Sequence, residues 1–364
     1  MKNTFGTSVS ITLFGESHGE AIGAVLDGMA PGVPVDEEFI KARLSLRRPM
    51  SAISTGRSEP DPFKIVSGVF HGFTTGTPIC IVIPNMVQKS CDYKELYGKA
   101  RPGHADYTAY CKYHGFEDPR GGGHFSGRIT AAVVAAGAIA LSALSGVGIS
   151  VGTHIARLAG IDDRPFGDLK GDLDLLKNRE FGVLDETVAD SMTEKILAAR
   201  KNGDSVGGIL ETAVLGVPAG VGEPWFDTVE SLLSHALFGI PAVKGVSFGL
   251  GFGFADAMGS EANDSFTVKD GNITTKTNHN GGINGGITNG CPILFQCAVK
   301  PTPSISLPQK TVDFKKNENT VLSVGGRHDP CIVHRARPVV ESITALTLCD
   351  LLAGRFGTDY LGAK

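Results

Sequence analysis

The sequence predicts one large domain in which strands and helices are mixed without a strand–helix–strand repeat. Three observations lead there. Apolar residues alternate over several short runs, the period of a half-buried strand. Helical periods occur in fewer segments, and the two do not alternate in the order that builds a parallel sheet. No Pro/Ser/Gly linker or charge block marks a boundary within the 364 residues. With 41% hydrophobic and 20% charged residues the composition is ordinary for a globular chain. A chain of this length buries about three quarters of its unfolded surface.

Taken in order, residues 8–14 alternate and read as a strand leading into the turn Gly15-Glu16-Ser17-His18-Gly19. Asp36 can cap a helix through Phe39, Ile40 and Leu44. Arg47 and Arg48 follow it, where cations favour the helix dipole; Arg57 lies in the polar loop beyond. Residues 64–70 and 78–84 read as strands, with glycines and threonines turning between them. The segment from Thr130 to about Ser145 is apolar all round, which predicts a buried helix. Its Ala135, Ala136, Gly137 and Ala138 let another element pack closely. Strands are expected at 149–161, 205–217 and 243–254, and helices at 189–200 and 228–237. Residues 278–290 are rich in Asn-Gly pairs, which suit backbone wrapped round a ligand or the tip of a hairpin. A strand at 295–299 runs into Lys300-Pro301-Thr302-Pro303-Ser304, and a closing helix is expected from about Pro338 to Ala353.

Composition excludes several classes. A net charge of −4 gives no whole-molecule attraction for nucleic acid. Seven cysteines with no CxxC pair indicate neither a zinc ribbon nor a redox pair, and suit free thiols in a reducing cytoplasm. The N-terminal residues lack the apolar core of a signal peptide. No run of about 18 apolar residues is expected to span a membrane.

Chemistry concentrates in residues 101–128, RPGHADYTAYCKYHGFEDPRGGGHFSGR. Three consecutive glycines, Gly121 to Gly123, cost backbone entropy and bury no side chain. They allow close approach of backbone N–H groups to a ligand. A glycine loop feeding the apolar helix behind it would make a phosphate site; the plainer alternative is a turn beside a solvated loop. His18, His104 and His328 lie in three loops of small residues. Arg47, Arg48, Arg57, Arg101, Arg120, Arg128, Arg327, Arg335 and Arg337 accompany them. Guanidinium forks bind carboxylate and phosphate, and histidine moves protons near neutral pH. Together they point to chemistry on a multiply anionic small molecule. HExxH, Walker, GxSxG and GxGxxG patterns are all absent.

GESHG at 15–19, RPGHADYTAYCKYHGFEDPRGGG at 101–123 and GRHDPCIV at 326–333 resemble the three signatures of chorismate synthases. Further matches (67–79, 203–208, 217–224, 240–252 and 278–290) extend the resemblance over nearly the whole chain. It implies an α+β fold, helices sandwiched between antiparallel β-sheets, assembled as a homotetramer. It implies anti-1,4-elimination of phosphate from 5-enolpyruvylshikimate 3-phosphate, with reduced FMN and no net redox change. By motif position, His18 would protonate reduced flavin, His104 would serve the leaving phosphate, and Asp329 would take part in deprotonation at the flavin. Flavin contacts would come from His124, Phe125, Ser126, Pro241, Ala242, Gly285, Lys300, Pro301, Thr302, Pro303, Ser304 and Arg327. The substrate's carboxylates and phosphate would account for Arg47, Arg48, Arg57, Arg101, Arg128 and Arg335.

The chain departs from the family pattern in three places. Ile53 stands where an arginine contact is usual. His124-Phe125-Ser126-Gly127-Arg128-Ile129 replaces the commoner Arg-Ser-Ser-Ala-Arg-Glu. His334 replaces a proline. None touches His18, His104 or Asp329. Some family members reduce their own flavin with a nicotinamide cofactor. Without a dinucleotide fingerprint or a reductase-sized addition, this chain is expected to need an external flavin reductant. Three other readings compete: a flavin oxidoreductase, a non-catalytic anion binder and a metal-dependent hydrolase.

Overall fold

The computed structural model describes residues 2–49, 53–54, 60–86, 97–325 and 329–362. Ten of its described strands form two five-stranded antiparallel sheets, and the rest pair as two-stranded hairpins. The first contains Thr4–Phe5 (β1), Ser10–Gly15 (β2), Ala21–Asp27 (β3), Lys64–Ser67 (β4) and Ile79–Pro84 (β5), in the order β1-β2-β3-β5-β4. The register pairs Ile22 with Ile83, Ala24 with Ile81 and Leu26 with Ile79. All six are fully buried, so period-2 alternation has put one apolar face inward. The second sheet contains Ser150–Leu158 (β6), Ile161–Asp162 (β7), Gly208–Leu215 (β8), Val243–Phe248 (β9) and Ile293–Val299 (β10), in the order β9-β10-β8-β6-β7. Along β10, Ile293, Phe295, Cys297 and Val299 alternate inward in the same way.

Helices of two turns or more are Glu37–Ser45 (α1), Asp106–Tyr113 (α2), Thr130–Gly146 (α3), Leu169–Lys177 (α4), Thr187–Lys201 (α5), Val229–Phe238 (α6) and Val333–Phe356 (α7). Helices α3 and α7 pack on each other between the sheets, α3 against β3 and β5, α7 against β6 and β8. This is the expected sandwich. Its two central helices approach closely at Gly137, where a Cβ would lie 2.2 Å from the Cβ of Ser342. Every residue of α7 from Ala336 to Ala353 is buried, and several of its polar groups are hydrogen-bonded, either to segments far along the chain or within the helix. Asp350 accepts the backbone N–H groups of Thr7, Ser8 and Val9. Glu341 accepts that of Thr153, and the hydroxyls of Ser342, Thr344 and Thr347 donate to carbonyls one turn back.

Several expectations are corrected. The segment Gly127–Gly146 is long and apolar enough, by length and composition, to cross a membrane. The expectation that no such run exists therefore fails; 72% of that window is buried, because the helix is the centre of a sandwich. The strand at 64–70 breaks at Gly68, whose φ is +83°. That at 149–161 folds back at Ala159-Gly160, and that at 243–254 ends at Phe248. Helix α7 starts at Val333 and runs through Pro338 instead of starting there. The Asn-Gly region holds a hairpin, Ile283–Asn284 with Ile287–Thr288, turning through positive φ at Gly285 and Gly286. Helix α4 and a hairpin of Gln309–Asp313 (β11) with Glu318–Leu322 (β12) were not expected.

Candidate active site

The loop 15–19 leaves the end of β2 and is clamped to the glycine turn. Ser17 donates its N–H to the carbonyl of Gly123 at 3.1 Å and its hydroxyl to that of Arg120 at 3.2 Å. His124 Nδ1 donates to the Gly15 carbonyl at 2.7 Å, which the ring can only do as an Nδ1–H. Gly121, Gly122 and Gly123 have φ of 61°, 88° and 53°. A Cβ on Gly121 would lie 2.1 Å from Cε1 of His18, and one on Gly122 would lie 3.4 Å from Nε2 of His104. The triplet thus seats two histidine rings against adjacent backbone positions. It does not open α3 as expected: a 3₁₀ turn, Gly127–Ile129, capped by the Ser126 hydroxyl, lies between them. His18 is buried, and Ser17 Oγ lies 3.1 Å from its Nδ1.

His104 sits in the turn before α2. Arg101 holds Asp106 through its backbone N–H (2.9 Å), Nε (2.8 Å) and Nη2 (2.6 Å), and His104 Nδ1 lies 2.8 Å from Asp106 Oδ1. Burial pushes the Asp106 carboxyl up; hydrogen bonds from Arg101 and His104 more than offset this and hold it well below the usual carboxylate range. Arg101 Nη1 donates to Ser304 Oγ at 3.3 Å, and Lys300 Nζ to the Gly103 carbonyl at 2.5 Å. The Lys300–Ser304 run is thereby docked on the His104 turn. Lys300 also donates its N–H to the Ala242 carbonyl, which brings Pro241 and Ala242 to the same edge. A cavity of about 310 Å³ opens here, lined by Arg101, His104, Asp106, Arg120 and Phe125 and bordered by Phe314 of the β11–β12 turn.

Asp329 pairs with Arg335 Nη1, and Arg335 Nε donates to the carbonyl of Arg47 at 2.6 Å. Arg47 in turn reaches Asp61 Oδ2 at 3.2 Å and the Gly127 carbonyl at 3.1 Å. Arg128 pairs with the other oxygen of Asp61 and donates to Asn85 Oδ1 at 3.0 Å. So Arg47, Arg128 and Arg335 form one chain, and Arg47 is a buried ion-pair partner, not a dipole cap. Asp61 was not anticipated. It is buried with a φ of +50°, and nothing local in the sequence ties it to arginines 14 and 67 positions away.

Other expected residues stand apart. Gly285 is exposed on a hairpin whose contacts are with 218–229. Arg48 donates to the Pro60 carbonyl at 2.6 Å, next to Asp61 in the chain. Arg57, Arg327 and His328 lie outside the described residues. The departures have local accounts. Ile53 is buried in the core. His334 is buried, with Nε2 3.0 Å from Ser54 Oγ. Burial, aided by the neighbouring Arg335 charge, pushes its pKa down to about 4, so it is a neutral core group.

A family model described as chorismate synthase matches residues 9–353. The chain is 46% identical over 350 residues to the chorismate synthase of Thermococcus kodakarensis, covering 96% of this chain and 97% of the relative. It is 46% identical over 355 residues to that of Dehalococcoides mccartyi, covering 96% of each. A solved crystal structure of chorismate synthase superposes with a TM-score of 0.76 at 28% identity, covering 97% of this chain and 94% of the other.

Proposed function

The chain belongs to the chorismate synthase family and is a carbon–oxygen lyase, and from that premise we propose that it eliminates phosphate from 5-enolpyruvylshikimate 3-phosphate to give chorismate. The reaction breaks the C–O bond to phosphate and a C–H bond across the ring, and forms a C=C bond. The whole chain acts as one catalytic domain. Its cofactor is reduced FMN, which when bound supplies transient electron density and a site for the departing proton without net redox change.

The residues fit such a group. Thr302 Oγ1 is buried without a hydrogen-bond partner among the described residues, a donor waiting for an acceptor in the run assigned to flavin. Lys300 and Ser304 flank it, and Pro241 and Ala242 share its edge. Arg101 and the cations around Asp61 bind the substrate's phosphate and carboxylates. His104 gives a proton to the departing phosphate oxygen, which leaves better protonated. His18 would hold a proton toward bound flavin, and Asp329, paired with Arg335, would accept one. The observation that carries this reading is the seating of His18 and His104 on neighbouring glycines beside Arg101.

The assembly is a homotetramer in the cytoplasm, supplied with reduced flavin from outside. Supporting the first is the exposure of Trp225, Phe226 and Phe252, each more than 80% accessible in the single chain, apolar surface that a symmetric partner would cover. Supporting the second, the six cysteines among the described residues are free thiols. His104→Ala should lose at least ~100-fold in chorismate turnover while its flavin titration stays unchanged, and His18→Ala should lose turnover similarly. Near-normal turnover in either variant would remove that histidine from the mechanism.

A further inference from the structure

Arg120 lines the cavity together with Arg101 and His104, yet none of the roles above uses it. It directly precedes Gly121 and Gly122, on which the rings of His18 and His104 are seated. Its carbonyl accepts the Ser17 hydroxyl at 3.2 Å, so its backbone is part of the clamp on the 15–19 loop. Its side chain takes no part in that clamp and is 48% exposed.

Two arginines on this cavity grip a neighbouring carboxylate in the same three-point way. Arg101 holds Asp106 through its backbone N–H, Nε and Nη2. Arg120 holds Asp118 through its backbone N–H (3.1 Å), Nε (2.8 Å) and Nη2 (2.8 Å). Hydrogen bonds from the Arg120 side chain hold the Asp118 carboxyl below its ordinary 3.8, so the grip persists at neutral pH. Exposed ion pairs contribute little to stability; what this one does is fix the plane of an exposed guanidinium. A guanidinium carries five N–H donors in a rigid fork. Asp118 takes two of them, on the Nε–Nη2 edge. The remaining edge offers two parallel N–H groups, one on Nη1 and one on Nη2, the geometry that receives a carboxylate bidentately. In Arg101, Nη1 is committed to Ser304 Oγ. In Arg120, Nη1 has no hydrogen-bond partner among the described residues.

We propose that Arg120, oriented by Asp118, is a further substrate-binding residue whose Nη1–Nη2 edge receives a carboxylate of the enolpyruvyl substrate. This rests on the reaction assigned above. An anion docked on that edge touches the guanidinium while Asp118 lies on the other side of it, so attraction at contact outweighs the more distant repulsion. The ring of His104, which serves the leaving phosphate, is seated on Gly122, two positions along the chain from Arg120. One molecule can therefore present its phosphate to His104 and a carboxylate to Arg120 across the same cavity.

The test is anaerobic steady-state kinetics and FMN titration of the full-length protein, with the substrate and with its two analogues in which one carboxylate is a primary amide. Arg120→Gln should raise KM about 10- to 100-fold, the worth of a hydrogen bond to a charged group. Its kcat, FMN titration and denaturant midpoint should change little, since Ser17 is held by the Arg120 carbonyl and not by the side chain. Arg120→Lys keeps the charge but not the fork, and its KM should fall between the two. One of the two amides should cost wild type at least ~10-fold in kcat/KM and cost Arg120→Gln little further. A normal KM in Arg120→Gln would overturn the proposal. So would a weakened FMN titration with KM unchanged, which would give Arg120 to the flavin phosphate. A raised KM with both amides discriminated as in wild type would also overturn it, as the mark of a purely structural role. Failure of the underlying reaction reading looks different: wild-type protein would release no phosphate from the enolpyruvyl substrate.

Discussion

At the scale of single residues, the site depends on what is missing from Gly121 and Gly122. A methyl group at Gly121 would overlap the His18 ring, so the ring or the turn must move. A positive φ adds about 1–2 kcal/mol for any residue with a Cβ. Gly121→Ala is expected to lose turnover as severely as His18→Ala, at least ~100-fold, with the fold retained by circular dichroism. Gly122→Ala meets the His104 ring only at ordinary contact distance, 3.4 Å, and should be milder. If Gly121→Ala turned over normally, the glycines would be a plain turn and not a seat for histidines. The density of cations and histidines makes residues 101–128 legible as a site from the sequence. Their geometry is not, because the ring seated on Gly121 comes from a loop about a hundred positions earlier. The same distance hides Asp61: a solvated-looking Asp in a Pro-rich loop gives no sign that Arg47 and Arg128 converge on it.

At the scale of elements, α3 is legible because it is apolar on every side, and a helix of that kind has to be covered all round. The partner that covers it is not, since α7 mixes Arg337, Glu341 and Asp350 among its apolar residues and lacks that all-round apolar signal. Those charges are satisfied by contacts far along the chain, such as Asp350 with the backbone of residues 7–9. The close approach at Gly137 predicts that Gly137→Val overpacks the α3–α7 seam and lowers stability by about 1–3 kcal/mol, read as a lower denaturant midpoint. An unchanged midpoint would mean the seam has slack.

The second sheet carries a separate pH signature. His154 on β6 is buried, 2.9 Å from Asp163 through Nδ1 and 2.9 Å from Glu211 through Nε2. Burial pushes its pKa down, and hydrogen bonds to Asp163 and Glu211 outweigh that, leaving it above the ordinary 6.5. A folded value above the unfolded one means stabilisation fully present below pH 6.5 and lost as pH rises through the folded value. Both carboxylates are held below their ordinary 3.8 and 4.5, so their share is lost only in acid. The advantage of wild type over His154→Gln in urea should therefore be larger at about pH 6 than at about pH 9. A gap that widened with pH would contradict a charged His154.

At the scale of the whole molecule, the two sheets and their helices match a solved chorismate synthase over nearly the full length, and residues 9–353 match the family model. On the proposed reading with an external reductant, the protein is expected to make little chorismate from NADPH, oxidised FMN and substrate without an added reductase; robust turnover in that mixture would show that the flavin is reduced in place. Light scattering should give four copies per particle, and a stable, active monomer would rule out the proposed assembly. The central claim, that this chain performs a redox-neutral elimination on an enolpyruvyl phosphate, is tested most directly under anaerobic conditions with 5-enolpyruvylshikimate 3-phosphate and photochemically reduced FMN. Chorismate and phosphate should appear in equal amounts over many turnovers while the flavin ends as reduced as it began. Oxidation of one flavin for each product formed, or no product at all, would contradict it.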